Sequence, residues 1–200
     1  MVYLINISIL LISVIIHEVA HGWIANRLGD PTAKQLGRLS FNPLVHVDIL
    51  GSLILPALFV ISGSSFLIGW AKPVPINPRH FRNPSKDMML VAIAGPLSNL
   101  SIAWLSRIIL IIYNPAPLSV FTYILKTTIV INLILMIFNL IPIPPLDGSR
   151  VLCHLLPSHL SYRLSQLEPY GFVIIFLMAY FNLLYPIISF FFTPLASLFL

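Results

Sequence analysis

Charge is what this sequence most lacks. Only 8% of its 200 residues are Asp, Glu, Lys or Arg, 58% are hydrophobic, and the mean hydropathy is +0.96. A soluble domain carries roughly 25% charged residues, so an ordinary soluble domain is excluded. Cysteine is scarcer still. Cys153 has no second cysteine to pair with, which excludes an internal disulfide framework and a cysteine-based metal cluster and leaves the redox compartment open; it reads as a small buried apolar residue. Acidic residues number six against eleven basic ones, for a formal charge of +5. The basic residues are scattered between apolar stretches and form no stripe, so nucleic acid is not an expected partner and membrane topology explains them better. The first 16 residues are almost wholly apolar but lack the basic start and small-residue cleavage site of a signal peptide, so residue 1 is expected to begin the mature structure. Internal repeats, a low-complexity tail and any stretch long enough for a separate soluble domain are missing too, and residues 1–200 are expected to form one domain.

What is present is a series of apolar blocks. Judged against a hydrocarbon core of about 30 Å, residues 1 to 24, 88 to 112, 119 to 141 and roughly 171 to 192 are candidate spans, with Pro186 leaving the end of the last one open. Residues 49 to 61 form a shorter block that contains Gly51 and Pro56 and runs into Ser62-Gly63-Ser64-Ser65. Arg27, Lys34 and Arg38 precede it; Lys72, Arg79, Arg82 and Lys86 follow it. Basic loops favour the cytoplasmic side, and both can lie there only if the block re-enters without crossing. The expected fold is an all-α polytopic membrane protein of about four to five transmembrane helices plus a re-entrant hairpin or edge-strand segment around 49–76. This topology brings the end of the first helix, the start of the 88 to 112 helix and the segment after residue 141 to one depth near the cytoplasm, and it makes the protein a multi-pass protein of the cell membrane.

Those three places hold the polar motifs. In His17-Glu18-Val19-Ala20-His21 the two histidines share a helix face and can reach one metal ion, with Glu18 beside them. For this composition the pattern arises by chance with a frequency of roughly 0.2%. Ionisable groups at membrane depth are costly, and a metal explains three of them within five positions. A tetrahedral zinc needs a third protein ligand and an open position, and a carboxylate is a usual choice. Asp30, Asp48, Asp87 and Glu168 sit in loops or beside basic neighbours. Asp147 stands apart, after Asn139-Leu140-Ile141-Pro142-Ile143-Pro144-Pro145-Leu146, whose three prolines break the helix and free backbone groups near the membrane face. The competing role for Asp147 is a helix N-cap before Gly148-Ser149-Arg150.

His17-Glu18-Val19-Ala20-His21-Gly22-Trp23 together with Asn139 to Arg150 resembles the site-2 proteases, intramembrane zinc metallopeptidases. Asn42-Pro43-Leu44-Val45-His46-Val47-Asp48, Gly69-Trp70-Ala71-Lys72-Pro73-Val74-Pro75 and Ala94-Gly95-Pro96-Leu97-Ser98-Asn99 look like further signatures of the compact, single-domain prokaryotic members. The resemblance implies one Zn2+ per chain held by His17, His21 and Asp147, with Glu18 as catalytic acid/base and Asn139 binding the substrate or stabilising the oxyanion. No appended PDZ or CBS domain is visible. Zinc would lower the pKa of its water and polarise the scissile carbonyl, Glu18 would carry the proton, and substrates would be transmembrane or membrane-tethered proteins in the lipid bilayer. Cleavage requires local unwinding of a substrate helix, for which Phe66 to Ile76 could supply an edge strand, its Pro73 and Pro75 suiting an edge. His46 and Asp48 read as turn residues, Gly95, Pro96 and Asn99 as packing residues, and Cys153-His154 as a chance adjacency. Two other readings stay open: a metal-ion transporter or channel, and an inactive pseudoprotease that binds membrane proteins. The sequence leaves substrate, oligomeric state, gating, host and pathway undefined.

Overall fold

The computed structural model describes residues 2–48 and 71–200, together with Gly51, Ile54 and Ile61. Helix α1 (Val2–Arg27) is 26 residues long and contains no proline. Gly29, at φ 110, ends it by turning the chain where a side chain would be strained. A short α2 (Thr32–Gln35) follows. Helix α3 (Pro84–Tyr113) starts with Pro84 in its first turn, Asn83 capping the Lys86 N–H, and the Asp87 carboxylate reaching back to the Asn83 N–H. It stops at Asn114, which adopts the left-handed conformation. Ser119 caps α4 (Val120–Asn139) through the Thr122 N–H. Beyond a proline-rich turn come α5 (Asp147–Leu155), α6 (Ser158–Ser165), α7 (Gly171–Tyr180) and α8 (Leu184–Phe199).

Helices α1, α3 and α4 are each long and apolar enough to cross a membrane, which agrees with the apolar blocks of the sequence. The expected single crossing over 171 to 192 is instead broken. The stretch Ser158–Tyr180 meets Leu184–Phe199 at 79°, giving a fourth span only if the bent pair counts as one. Hydropathy runs evenly across this break, but Asn182 sits at φ 56 and turns the chain, and Pro186 falls in the first turn of α8, where its missing N–H leaves no bond unmade.

Helix α3 lies between α1 and α4, with α5 against α3 and α8 against α4. The polarity is inverted relative to a soluble protein. Trp104, Ile108, Ile111 and Phe121 face outward, whereas His17, His21, Asn99 and Asn132 are buried. A hydrocarbon solvent favours this arrangement, because polar groups must be satisfied inside the bundle. One apolar cluster joins Ala103 with Ile129, Leu133, Met136 and Phe199; another joins Ala25, Phe81 and Val91 just beside the histidines.

The re-entrant segment expected at 49–61 lies, but for Gly51, Ile54 and Ile61, outside the described residues, as do residues 66–70 of the expected edge strand. Residues 71–77 form no strand. Apart from one backbone bond, from the Lys72 N–H to the His46 carbonyl, side chains hold them: Arg38 donates to the carbonyls of Lys72 and Pro73, Glu18 accepts from the Val74 N–H, and Asp30 accepts from the Asn77 N–H. Pro73 and Pro75 have no N–H to give, so the segment offers a broken row of donors.

Candidate active site

Helix α1 carries His17 and His21 on one buried face, and the two Nε2 atoms lie 3.0 Å apart. Asp147, from the first turn of α5, brings Oδ2 to 3.2 Å from His17 Nε2 and 3.4 Å from His21 Nε2. Leu146, not Asp147, is the N-cap residue of α5 and makes no side-chain cap, which removes the capping role as the reason for this aspartate. Among the described residues, His17, His21 and Asp147 form the one group of three or more such side chains able to hold a metal.

Backbone contacts explain why the groups converge. A Cβ on Gly95 of α3 would come within 2.4 Å of His21 Nε2 and 2.5 Å of His17 Cε1, so only glycine lets α3 approach the imidazoles so closely. A Cβ on Gly148 would meet the Leu140 carbonyl oxygen at 2.1 Å, and one on Gly171 would meet that of Pro144 at 2.1 Å. These two glycines press α5 and α7 onto the proline turn and set Asp147 in place. Pro96 removes the donor that the Ala92 carbonyl would otherwise have within α3. At the adjoining residue, the Val91 carbonyl accepts from His21 Nδ1 at 2.7 Å.

Both histidines thus spend Nδ1–H on an oxygen, His21 on the Val91 carbonyl and His17 on Asn99 Oδ1 at 2.6 Å. In the neutral rings this leaves both Nε2 atoms as bare lone pairs, facing each other and a carboxylate. Asp147 Oδ2 is correspondingly a buried oxygen with no hydrogen-bond partner. Three electron-pair donors at 3.0–3.4 Å repel unless a cation lies among them. Adjacent ligands of a tetrahedral zinc at 2.0–2.1 Å are separated by about 3.3–3.4 Å, so these residues fit that ion.

The site opens into a cavity of about 420 Å³ lined by His17, Glu18, His21, Val74, Asn139 and Asp147 among others. Glu18 is anchored at 2.8 Å by the Val74 N–H. Asn139, the last residue of α4, donates to the Leu135 carbonyl while lining the cavity. Arg150 and Glu168 also line it and form an ion pair. Outside the group lie the weaker candidates. His46 donates to the Ser40 carbonyl, His154 meets Ser85, and Cys153 points to the Ser161 carbonyl. Two contributors were missed in the sequence, Val91, which acts through its backbone, and Asn99, which reads there as a packing residue. Their signal was tertiary, although Ser13 at four residues before His17 marks a polar face along α1 that was visible in the spacing.

Comparison with known proteins yields a family and several named relatives. The model of Peptidase family M50 matches residues 100–181. The chain is 38% identical over 172 residues to "Putative zinc metalloprotease YwhC" of Bacillus subtilis, covering 82% of this chain and 75% of that protein. It is 31% identical over 152 residues to "Putative zinc metalloprotease MJ0611" of Methanocaldococcus jannaschii, covering 74% and 73%. With "Putative zinc metalloprotease Rip2" of Mycolicibacterium smegmatis it shares 29% over 175 residues, 87% of this chain and 66% of that one. No solved structure matches the chain. A multi-pass set of apolar helices and relatives named as zinc metalloproteases lead to one assignment: the chain belongs to Peptidase family M50, the site-2 proteases.

Proposed function

We propose that this protein is an intramembrane zinc metalloprotease that hydrolyses peptide bonds in or near the transmembrane segments of membrane-protein substrates. The observation that carries the reading is the meeting of His17 Nε2, His21 Nε2 and the unpartnered Asp147 Oδ2 at one cavity that also contains Glu18. These three side chains would hold a single zinc ion, which when bound supplies a Lewis acid for the scissile carbonyl and acidifies water toward neutral pH. Glu18 is the general acid/base, taking a proton from the attacking water and returning it to the leaving amine. Its hydrogen bond to the Val74 N–H fixes the carboxylate at the cavity wall. Asn139 keeps one amide N–H bond to its own helix and has a second N–H to offer a developing oxyanion, without burying a further charge. The basic residues flanking the site, Arg27, Lys34, Arg38, Lys72 and Arg79, favour a position near the cytoplasmic face of the cell membrane.

The test is metal content and cleavage of a panel of single-pass membrane proteins by wild type and Glu18→Gln in detergent. Stoichiometric zinc in both proteins with cleavage by wild type alone supports the reading. Absence of zinc from wild type refutes it.

A further inference from the structure

Behind His17 runs a chain of buried amides that the proposed chemistry does not use directly. His17 Nδ1 donates to Asn99 Oδ1 at 2.6 Å, Asn99 Nδ2 donates to Asn132 Oδ1 at 2.9 Å, and Asn132 Nδ2 donates to Ser13 Oγ at 2.9 Å. Asn99 and Asn132 are fully buried and Ser13 is 2% exposed. The chain ties together α1, α3 and α4, and ordinary interhelical bonding accounts for that much. It does not account for the direction of the chain. An Asn side chain can turn over and exchange its donor for its acceptor, so a pair of amides alone would tolerate either polarity. Asn132 Nδ2 also reaches the Thr128 carbonyl at 2.9 Å, and a carbonyl can only accept. That one fixed acceptor sets Asn132 with its amine toward Thr128 and Ser13 and its Oδ1 toward Asn99. Asn99 must then present its amine to Asn132 and its Oδ1 to His17, and His17 must carry its proton on Nδ1.

From this geometry we infer that Asn99, Asn132 and Ser13 form a positioning relay, oriented by the Thr128 carbonyl, that holds the His17 proton on Nδ1 and keeps Nε2 available as a metal donor. The inference rests on the zinc reading above and extends it to residues that touch neither ion nor substrate. Reversal of the relay would leave a buried donor facing a donor, at the cost of an unsatisfied polar group in an apolar interior. The tautomer is therefore set before any metal arrives. His21 achieves the same result in one step, with the Val91 carbonyl as its acceptor.

The full chain in detergent, stripped of metal and titrated with Zn2+ against a chromophoric chelator, tests this with Asn99→Leu, Asn99→Asp and Asn132→Leu. Asn99→Leu is expected to weaken zinc binding about 10- to 100-fold, the usual effect of losing an outer partner of a metal-bound histidine. Asn99→Asp keeps an acceptor opposite Nδ1 and is expected to bind zinc more tightly than Asn99→Leu. Mere packing predicts the opposite order, because leucine is apolar and of similar size whereas aspartate buries a charge. Asn132→Leu, which touches no metal ligand, is expected to weaken binding less than Asn99→Leu and to alter the absorption spectrum of the cobalt-loaded protein. A nitrogen-15 spectrum of histidine-labelled, metal-free wild type should show the neutral His17 ring with its proton on Nδ1, and it decides the matter alone if a variant does not fold. Equal zinc affinity in Asn99→Leu and wild type, leucine outperforming aspartate, or a bare Nδ1 would overturn the relay. A wild type that binds no zinc would overturn the relay together with the metal reading, whereas a failed relay with zinc still bound leaves that reading intact.

Discussion

At Gly95 an added Cβ would strike both candidate histidine ligands, and Gly95→Ala is the sharpest perturbation available. The added methyl would lie 2.4–2.5 Å from atoms of His17 and His21. Carbon contacts are optimal at about 3.5–4.0 Å, so the rings or α3 must retreat by roughly 1 Å. Metal–ligand distances tolerate only about 0.2 Å, so both imidazoles would be pulled out of register with Asp147. The folded state is affected less. Overpacking costs typically about 1–3 kcal/mol, and alanine recovers up to about 1 kcal/mol over glycine inside a helix. The expected outcome is a folded protein with zinc affinity lowered at least about 100-fold, since the change moves two ligands and outer-partner losses alone reach that size. Chelator competition gives the affinity, and thermal unfolding of the metal-free protein gives the stability. Gly37→Ala is the control with the opposite signature. Gly37 sits at φ +66 with nothing within 4 Å of an added Cβ, so alanine there strains the backbone and spares the metal. Zinc affinity within about threefold of wild type in Gly95→Ala would refute the claim that the close contact shapes the ligand set.

Asp30 supplies a pH prediction away from the site. Burial alone would raise its carboxyl, but hydrogen bonds from His80, Thr32 and the Asn77 N–H outweigh this and hold it below its ordinary value of 3.8. A depressed carboxyl stabilises the fold above that ordinary value and loses its contribution as pH falls below it. Wild type should therefore lose thermal stability as the pH is lowered from 5 toward 3, and Asp30→Asn should be less stable at pH 7 and flatter across that window. Zinc should stabilise the wild type in proportion to the logarithm of its concentration above Kd, by about 2.7 kcal/mol at 100 times Kd, read as a rise in unfolding temperature. Asp147→Asn, which removes the charged donor, should lose most of that response; an unchanged response would exclude Asp147 as a ligand.

Helices α1, α3 and α4 were legible because length and apolarity suffice to mark a span, and no side-chain detail is needed. The His17 and His21 pair was legible because helical spacing alone puts both on one face. Asp147 could be singled out by elimination, since few acids exist and three prolines precede it. The break at Phe181–Leu183 was not legible: the residues around it are as apolar as a span, and the turn depends on the backbone at Asn182. Nor was the role of Asn99. In sequence it is one small polar residue on an apolar helix, and its partners His17 and Asn132 lie 82 and 33 positions away. The segment 71–77 shows a third kind of illegibility, because its backbone is bonded by Arg38, Glu18, Asp30 and the His46 carbonyl from elsewhere in the chain, and no pattern within the segment announces this.

The cavity beside Glu18 bears on supply as well as on shape. Hydrolysis consumes one water for every bond cut, and the membrane-spanning helices of this protein expose apolar side chains such as Ile7, Trp104, Ile111 and Phe121. A space of about 420 Å³ with His17, Glu18, Asn139, Asp147, Arg150 and Glu168 on its walls can store on the order of ten water molecules within reach of the carboxylate. A reservoir of that size turns an intermittent reagent into a standing one. Under the proposed hydrolysis each cycle would draw on water already inside, and refilling would proceed while the next peptide is being unwound.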